Sequence, residues 1–186
     1  MSKTWRVSVV RLILWCGVLV SLTALAAAQK SDSVVEARVL TASDAAHPNS
    51  SAKMAVVAQV APGYHLNDHH PTLEYLIPTE LKLDAIPEVK VKDVVYPKGT
   101  PKKFAFSDLP LSVYEGSVVV GAVLEIPRKT TVGDYTLKGK FAYQACNDHA
   151  CLPPASVPIA VTVKVVRRTV LLKRLNADVF DRIQLE

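Results

Sequence analysis

Short alternating segments separated by prolines are the feature of this sequence that most limits its fold. In these segments apolar and polar side chains tend to alternate, a period that is typical of β-strands with one buried face. The twelve prolines fall mostly between the segments, where they fit strand ends and turns but disfavour helix interiors. Together these features predict an all-β sandwich. The predicted strands are residues 53–60, 73–77, 80–84, 90–96, 118–126, 135–143 and 157–166.

Two polar stretches and the C-terminus interrupt this pattern. Residues 41–52 and 97–112 read as loops, and the second is long enough to indicate a functional or mobile segment. Residues 176–184 predict the single helix, with Asn176 as its N-cap and Val179, Phe180 and Ile183 on one face. No repeat or linker divides the chain. The sequence therefore predicts one domain over residues 29–175, followed by a short helical tail over residues 176–186.

The first 28 residues have the pattern of a signal peptide. Three basic residues precede an apolar run from Leu12 to Ala28, and the small residues at positions 26–28 predict cleavage before Gln29. The expected location is therefore the periplasm, with an uncleaved membrane anchor as the alternative. Removing residues 1–28 reduces the formal charge from +5 to +2 (5 − 3), and the remaining chain has no dense basic run. We therefore expect no nucleic-acid partner.

Export leaves two cysteines, Cys146 and Cys151, in an oxidising compartment, where an even pair is expected to form a disulfide. A bridge that closes so short a loop removes little entropy from the unfolded chain, about 2 kcal/mol on the chain-entropy model. The spacing by itself is compatible with a redox-active bridge, a local structural staple or, least of all, a metal site.

The residues around this pair resemble a known family. Residues 143–154, Tyr-Gln-Ala-Cys-Asn-Asp-His-Ala-Cys-Leu-Pro-Pro, are similar to the active-site segment of the N-terminal periplasmic domain of the thiol:disulfide interchange protein DsbD. Residues 63–66, Gly-Tyr-His-Leu, resemble an earlier segment of that domain. The Tyr-Gln-x-Cys and Cys-x-Pro-Pro pattern is the most specific part, and the resemblance extends over residues 33–166.

The resemblance implies an immunoglobulin-like β-sandwich whose two cysteines transfer electrons between thioredoxin-fold proteins. It implies that Cys146 and Cys151 are the redox pair, that Cys151 forms the mixed disulfides, and that an aromatic residue of a cap loop shields the bridge. Residues 97–112 occupy the cap position, with Phe104 or Phe106 as the shielding residue. Tyr64, Tyr143 and His149 are expected near the pair, His149 either favouring a thiolate or simply exposed.

The sequence departs from the family in ways that affect the expected activity. Four residues separate the cysteines, slightly fewer than in the well-known member, and Lys102 and Lys103 stand where that family has acidic residues near its cap. Because the chain ends soon after the domain, we expect it to depend on a separate membrane electron donor. We also expect a monomer. No metal or organic cofactor is needed. Activity of the protein-disulfide reductase type is left open.

Two other interpretations use the same residues. A non-catalytic binding or assembly module of the cell envelope would have the same fold and an inert structural disulfide. His65, His69 and His70, with Asp68 and His149, contain imidazole and carboxylate groups that suit zinc or copper. Adjacent histidines point to opposite faces of an extended backbone, however, so the sequence favours a solvated polar loop.

Overall fold

The computed structural model describes residues 34–185. The predicted signal peptide, its cleavage site at Gln29 and the third cysteine, Cys16, lie outside the described residues. Eleven strands and one short helix follow each other along the described part of the chain. They are β1 (Val35–Thr41), β2 (Ser50–Val60), β3 (His65–Asn67), β4 (Glu80–Leu83), β5 (Lys90–Val95), β6 (Thr100–Lys102), β7 (Leu111–Tyr114), β8 (Ser117–Ile126), β9 (Gly133–Tyr143), β10 (Ala145–Cys146), β11 (Ala155–Val165) and α1 (Ala177–Phe180).

Two antiparallel sheets pack face to face and form the core. One has the strand order β1-β2-β8-β5, and the other has the order β11-β9-β4. On β9 the side chains of Leu137, Phe141 and Tyr143 are buried, while Lys138 and Lys140 are exposed, as the alternation predicts. The inward-facing side chains of both sheets form one hydrophobic cluster. The predicted all-β, immunoglobulin-like sandwich is confirmed.

A third, smaller sheet carries the cysteine segment. Its strand order is β10-β3-β7-β6, and every neighbouring pair is antiparallel. β6 and β7 form a hairpin, so residues 97–112 are not one long loop, as the sequence indicated. The irregular part is residues 103–110, and the strands on either side fix both of its ends. We call residues 103–110 the hairpin loop.

Two further assignments from the sequence are wrong. Residues 73–77 form turns rather than a strand, and the Leu76 N–H donates to the Leu73 carbonyl. Both leucines pack beside Phe104, so their apolar character serves a small local core instead of a sheet. The loop predicted over residues 41–52 is shorter, because β1 continues to Thr41 and β2 begins at Ser50.

The C-terminal segment covers the outer face of the first sheet. Its helix is a single turn, and Asn176 does not cap it through its side chain. The Asn176 amide instead donates to the Thr41 carbonyl. At the end of the segment Leu185 lies against Gly121, where a Cβ would come within 2.7 Å of the leucine side chain. Within residues 34–185 no helix has the length and apolar character needed to cross a membrane.

Candidate thiol–disulfide site

Cys146 and Cys151 form a disulfide at the edge of the small sheet. Cys146 ends β10, the edge strand, and Cys151 lies directly opposite it in an antiparallel bridge, with the two Cα atoms 3.9 Å apart. The chain reverses direction between them, and the Leu152 N–H donates to the Ala145 carbonyl at 2.8 Å. The disulfide therefore closes a tight turn at the end of a strand.

The two sulfur-bearing residues differ sharply in exposure. Cys146 is 2% exposed and belongs to the buried face of the domain, whereas Cys151 lies at the surface. Asp148, His149 and Ala150, in the turn between them, are also exposed. A thiolate of another protein therefore has access to the bridge from the Cys151 side. Both residues of β10 are buried, whereas Cys151 follows the exposed turn.

Asn147 organises the turn between the cysteines. Its side-chain oxygen accepts hydrogen bonds from the N–H groups of His149 and Ala150, both at 2.9 Å. Beside the turn, the Gln144 amide donates to the Leu152 carbonyl at 3.2 Å. Neither side chain was predicted from the sequence to have a role. An Asn at the start of a short turn is a recognised signal for this arrangement and was sufficient to predict it.

His65 is the cross-strand neighbour of Cys146 in the pairing of β3 with β10. It is buried, so the solvated polar loop favoured by the sequence is wrong at this position. Burial and the nearby positive charge of Lys102 lower the pKa of His65, although Glu115 and Asp148 partly oppose them. The imidazole beside the buried cysteine is therefore neutral at neutral pH.

Phe104 lies on His65 and connects the hairpin loop to the cysteine segment. The centroids of the two rings are 4.4 Å apart. Phe104 is 4% exposed, whereas Phe106, whose ring stacks on it at 5.2 Å, is 58% exposed. Leu111 and Val113 of β7 complete a small hydrophobic cluster with Phe104. The structure thus separates two residues that the sequence could not distinguish.

A buried carboxylate holds the base of this hairpin. Asp68 follows β3 directly, and its carboxylate accepts hydrogen bonds from the hydroxyls of Ser112 and Tyr114, both at 2.6 Å. It also accepts the N–H groups of Gly99 at 3.1 Å and His70 at 3.2 Å. Ser112 and Tyr114 lie on β7, and Gly99 immediately precedes β6. Asp68 therefore links the end of β3 to both strands of the hairpin.

Glycine is required at position 99 because the Asp68 and Ser112 side chains leave no room for a Cβ atom. A Cβ at position 99 would lie 2.4 Å from both the Asp68 carboxylate and the Ser112 hydroxyl. Burial raises the pKa of Asp68, but the hydrogen bonds from Ser112, Tyr114 and the two backbone groups outweigh it and hold the pKa below its usual value. Burial and the Asp68 hydrogen bond raise the pKa of Tyr114. The network is therefore an ionised carboxylate surrounded by donors.

The family of this domain is shown by its sequence. The family described as the N-terminal domain of thiol:disulfide interchange protein DsbD matches residues 36–162. The chain belongs to this DsbD N-terminal family. Its match extends from β1 into β11 and contains both cysteines, the hairpin loop and Asp68. No curated protein matches the sequence.

Three solved structures are similar to this chain at low identity. The reduced DsbD N-terminal domain of Neisseria meningitidis is 18% identical, with a TM-score of 0.46 over 72% of this chain and 88% of that one. The N-terminal periplasmic domain of ScsB from Proteus mirabilis is 16% identical, with a TM-score of 0.47. The match covers 70% of this chain and 46% of that one. The complex of the DsbD and PilB N-terminal domains from Neisseria meningitidis is 18% identical, with a TM-score of 0.38. The match covers 66% of this chain and 80% of that one.

The histidines considered as metal ligands have other neighbours in this DsbD N-terminal domain. Among residues 34–185 no group of three or more His, Cys, Asp or Glu side chains could hold a metal ion. The ring of His69 stacks on that of Tyr96 at 3.6 Å and contacts the Thr79 carbonyl through Nδ1 at 2.9 Å. The ring of His70 lies 4.6 Å from that of His69. The His69 side chain is therefore held by Tyr96 and Thr79.

The remaining residues expected near the cysteines occupy different environments. Tyr143 is fully buried at the end of β9, two positions before β10 begins, and lies 6.0 Å from Phe141 in ring centroids. Tyr64 immediately precedes His65 and is half-buried against the main core. His149 is at the surface of the turn. Tyr143 therefore belongs to the main core, and Tyr64 packs against it.

Proposed function

We propose that this protein exchanges thiols and disulfides with thioredoxin-fold proteins through Cys146 and Cys151. The observation that carries the proposal is the unequal exposure of the bridge, with Cys151 at the surface and Cys146 buried beside His65. Only an accessible sulfur is attacked by a thiolate of another protein. A disulfide that served only to stabilise the fold would gain more by closing a longer loop.

Reduction of the bridge begins when a thiolate of the electron donor attacks Sγ of Cys151. A mixed disulfide forms, and the Cys146–Cys151 bond breaks with Cys146 leaving as a thiolate. The second thiolate of the donor then attacks the donor sulfur of the mixed disulfide and releases Cys151. The donor leaves as a disulfide, and the domain has gained two electrons. Protons from water complete the two thiols.

Transfer to the acceptor reverses these roles. The Cys151 thiolate attacks the disulfide of the acceptor and forms a second mixed disulfide, from which one acceptor thiolate is released. Cys146 then attacks Sγ of Cys151, which restores the bridge and releases the second acceptor thiolate. Cys146 is therefore the resolving residue, and its buried position keeps it away from partners. Each cycle moves two electrons without a cofactor.

Phe104 is the residue that we assign as the cap of the bridge. It is buried on His65, the neighbour of Cys146, and the hairpin holds it there through Asp68. Phe106 is exposed and stacks on the outer side of Phe104. We assign Phe104 to shielding of the sulfurs between encounters and Phe106 to the surface that an approaching partner first contacts.

The family and the predicted signal peptide support a place for this exchange in the periplasm. The proposed partners are thioredoxin-fold proteins, with a separate membrane protein as the original source of electrons. The proposed working unit is a monomer, and its activity is of the protein-disulfide reductase type. Cys151 is exposed beside β10, the edge strand that ends at Cys146, which leaves it open to a partner.

The reduction potential of the bridge tests this function. Protein released from the periplasm is equilibrated in thiol–disulfide buffers of known potential, and free cysteines are counted by alkylation and mass spectrometry. We expect a midpoint above about −300 mV, in the range of exchangeable bridges. A midpoint below that value, combined with no reaction with a reduced thioredoxin-fold protein, would instead favour an inert bridge in an envelope-binding module.

A further inference from the structure

An exposed apolar segment flanked by basic residues lies just beyond the region matched by the family. Residues 167–174, Arg-Arg-Thr-Val-Leu-Leu-Lys-Arg, form a surface loop that we call the tip loop. Leu171 is 94% exposed, and Val170 and Leu172 beside it are also exposed. Isolated exposed apolar residues are common, but three consecutive ones indicate a surface that contacts an apolar partner.

The tip loop is strongly cationic. It contains four basic and no acidic residues. Arg174 pairs with Asp181, and Arg168 donates to the Pro48 carbonyl at 3.2 Å. Within residues 34–185, Arg167 and Lys173 have no ion pair. Arg128, from the turn between β8 and β9, lines the same surface depression as Arg168.

One exposed carboxylate, Asp134, lies at this end of the sandwich opposite Lys164 in the register of β9 and β11, and two others contact the tip loop itself. Asp44 accepts the backbone N–H of Lys173 at 2.9 Å, and Asp181 is engaged with Arg174. These two carboxylates offset part of the positive charge. The free charges of Arg167, Lys173 and Arg128 nevertheless leave an excess of cations around the apolar residues.

The structure fixes the tip loop in place. The Val166 N–H donates to the Ala46 carbonyl at 2.9 Å, the Asp44 N–H to the Lys173 carbonyl at 3.1 Å, and Leu175 to Ala42 at 2.8 Å. Inside the loop, the Val170 N–H donates to the Arg167 carbonyl at 3.0 Å. Because both ends are bound to residues 42–46, the apolar side chains are held outward and do not fold back onto the domain.

The tip loop and the disulfide lie at opposite ends of the sandwich. In the register of β9 and β11, Gly133 pairs with Val165 at one end and Tyr143 pairs with Ala155 at the other. The tip loop begins just after Val165, whereas the cysteine segment follows Tyr143. Ten strand steps of about 3.4 Å separate the two ends by roughly 34 Å. A surface bound by the tip loop would leave the disulfide free.

We propose that the tip loop binds the surface of an anionic phospholipid bilayer. Leu171, with Val170 and Leu172, inserts among the upper acyl carbons, and the surrounding cations contact the phosphate groups. Apolar insertion combined with electrostatic attraction is the way in which peripheral segments bind anionic membranes. Binding in this orientation holds the disulfide about 34 Å from the bilayer and directed away from it. The inference does not depend on the proposed redox activity.

A single tryptophan tests the insertion. Both tryptophans of the sequence, Trp5 and Trp15, lie in the predicted signal peptide. We therefore place one at Leu171 (Leu171→Trp) and, as a matched exposed control at the other end of the sandwich, one at Leu109 (Leu109→Trp). Protein released by osmotic shock is mixed with vesicles of phosphatidylcholine alone or with 30% phosphatidylglycerol. The difference spectrum against the wild type isolates the added indole.

We expect the emission of Leu171→Trp to move to shorter wavelength only with the phosphatidylglycerol vesicles, and that of Leu109→Trp to stay unchanged. In co-sedimentation, Arg167→Gln combined with Arg168→Gln lowers the partition of the protein with these vesicles at least about tenfold, as does Leu171→Asp. Added salt weakens the binding. Three results would overturn the proposal: equal binding to both vesicle types, no binding at all, or binding that the tip-loop variants leave unchanged. No binding would point to an acidic protein partner of the tip loop or to no partner. Unchanged binding by the variants would mean that the tip loop is not the membrane-binding surface.

Discussion

The ring of Phe104 lies 4.4 Å from the ring of His65, and His65 is paired across the strands with Cys146. One side chain of the hairpin loop is therefore connected through one histidine to the buried sulfur of the bridge. The same hairpin is bound at its base to Asp68. The hairpin that carries Phe104 is thus anchored to a network that the sequence alone did not reveal.

Phe104→Ala is expected to increase the rate at which the oxidised bridge reacts with a small thiol by about three- to tenfold, because access is one of the factors that control exchange. Phe106→Ala should have a smaller effect, since its ring is already exposed and lies on the outer side of Phe104. The measurement is the pseudo-first-order rate of reduction by dithiothreitol, followed by alkylation at timed intervals.

Leu109→Ala is the control for this comparison, because Leu109 belongs to the same hairpin loop and is exposed. Circular dichroism establishes that each variant is folded. Identical rates for Phe104→Ala and the wild type would show that Phe104 does not shield the sulfurs.

Asp68→Asn is expected to lower the free energy of unfolding at pH 7 by about 1–3 kcal/mol, since it removes the charged acceptor of a largely buried network. The measurement is urea unfolding followed by circular dichroism. Asp84→Asn, which changes an exposed carboxylate, should leave the stability unchanged within error. An equally small effect at both positions would show that the network contributes nothing to the stability.

The stability difference between the wild type and Asp68→Asn should also depend on pH. Because the folded state holds the pKa of Asp68 below its unfolded value of about 3.9, the contribution of the carboxylate is fully present above pH 5. It is lost as the pH falls through the folded pKa, so the difference shrinks below pH 4. His65 titrates in both proteins and cancels in the comparison. A difference that stays constant down to pH 3 would argue against an ionised Asp68.

Gly99→Ala is expected to destabilise the domain by about 1–3 kcal/mol, the usual cost of overpacking, because the new Cβ meets the Asp68 carboxylate and the Ser112 hydroxyl. Gly133→Ala is the matched control, since a Cβ there meets its nearest neighbour, Tyr135, at an ordinary 3.7 Å. Thermal unfolding of both variants makes the comparison. Similar melting temperatures would mean that the hairpin base moves freely.

Leu185→Ala should lower the stability by roughly 2 kcal/mol, because the side chain is buried on Gly121 at the outer face of the first sheet. Leu171→Ala removes the same atoms from a fully exposed position and should have no effect. Urea midpoints of the two variants are compared with that of the wild type. An unaltered Leu185→Ala protein would show that the C-terminal segment is not bound to the sheet in solution.

The strands of the main sandwich were predictable because their side chains alternate between core and solvent. Leu137, Phe141 and Tyr143 on β9 show this directly. Residues 73–77 resemble a strand in sequence because Leu73 and Leu76 are apolar, but both are only partly buried and pack against the local cluster around Phe104. Periodicity reports burial but does not say which element provides it.

The residue types of the candidate site could be predicted from the sequence, but the contacts that hold those residues in place could not. The two cysteines and the aromatic residues of the hairpin loop are visible as residue types, so the resemblance could point to them along the chain. The role of Asp68 depends on partners more than 30 positions away, Gly99 and Ser112, and no local pattern indicates such a contact. The packing of the predicted tail was not visible for the same reason, because Leu185 contacts Gly121 only once the sheet exists.

The direct test of thiol exchange is the trapping of partners by single-cysteine variants in the periplasm. Cys146→Ala retains the exposed Cys151 and removes the only thiol of the described domain that can resolve a mixed disulfide. Cys151→Ala is the matched control, since it retains only the buried cysteine. Both should fold, because the bridge contributes about 2 kcal/mol against a typical domain stability of about 5–15 kcal/mol.

Extracts are separated on non-reducing gels, and trapped bands are identified by mass spectrometry, with the resolving cysteine of the candidate partner also removed. We predict that Cys146→Ala accumulates a stable mixed disulfide with a thioredoxin-fold protein through Cys151, and that Cys151→Ala accumulates much less. If both variants are folded and neither traps a partner, the bridge does not exchange and the central claim is contradicted.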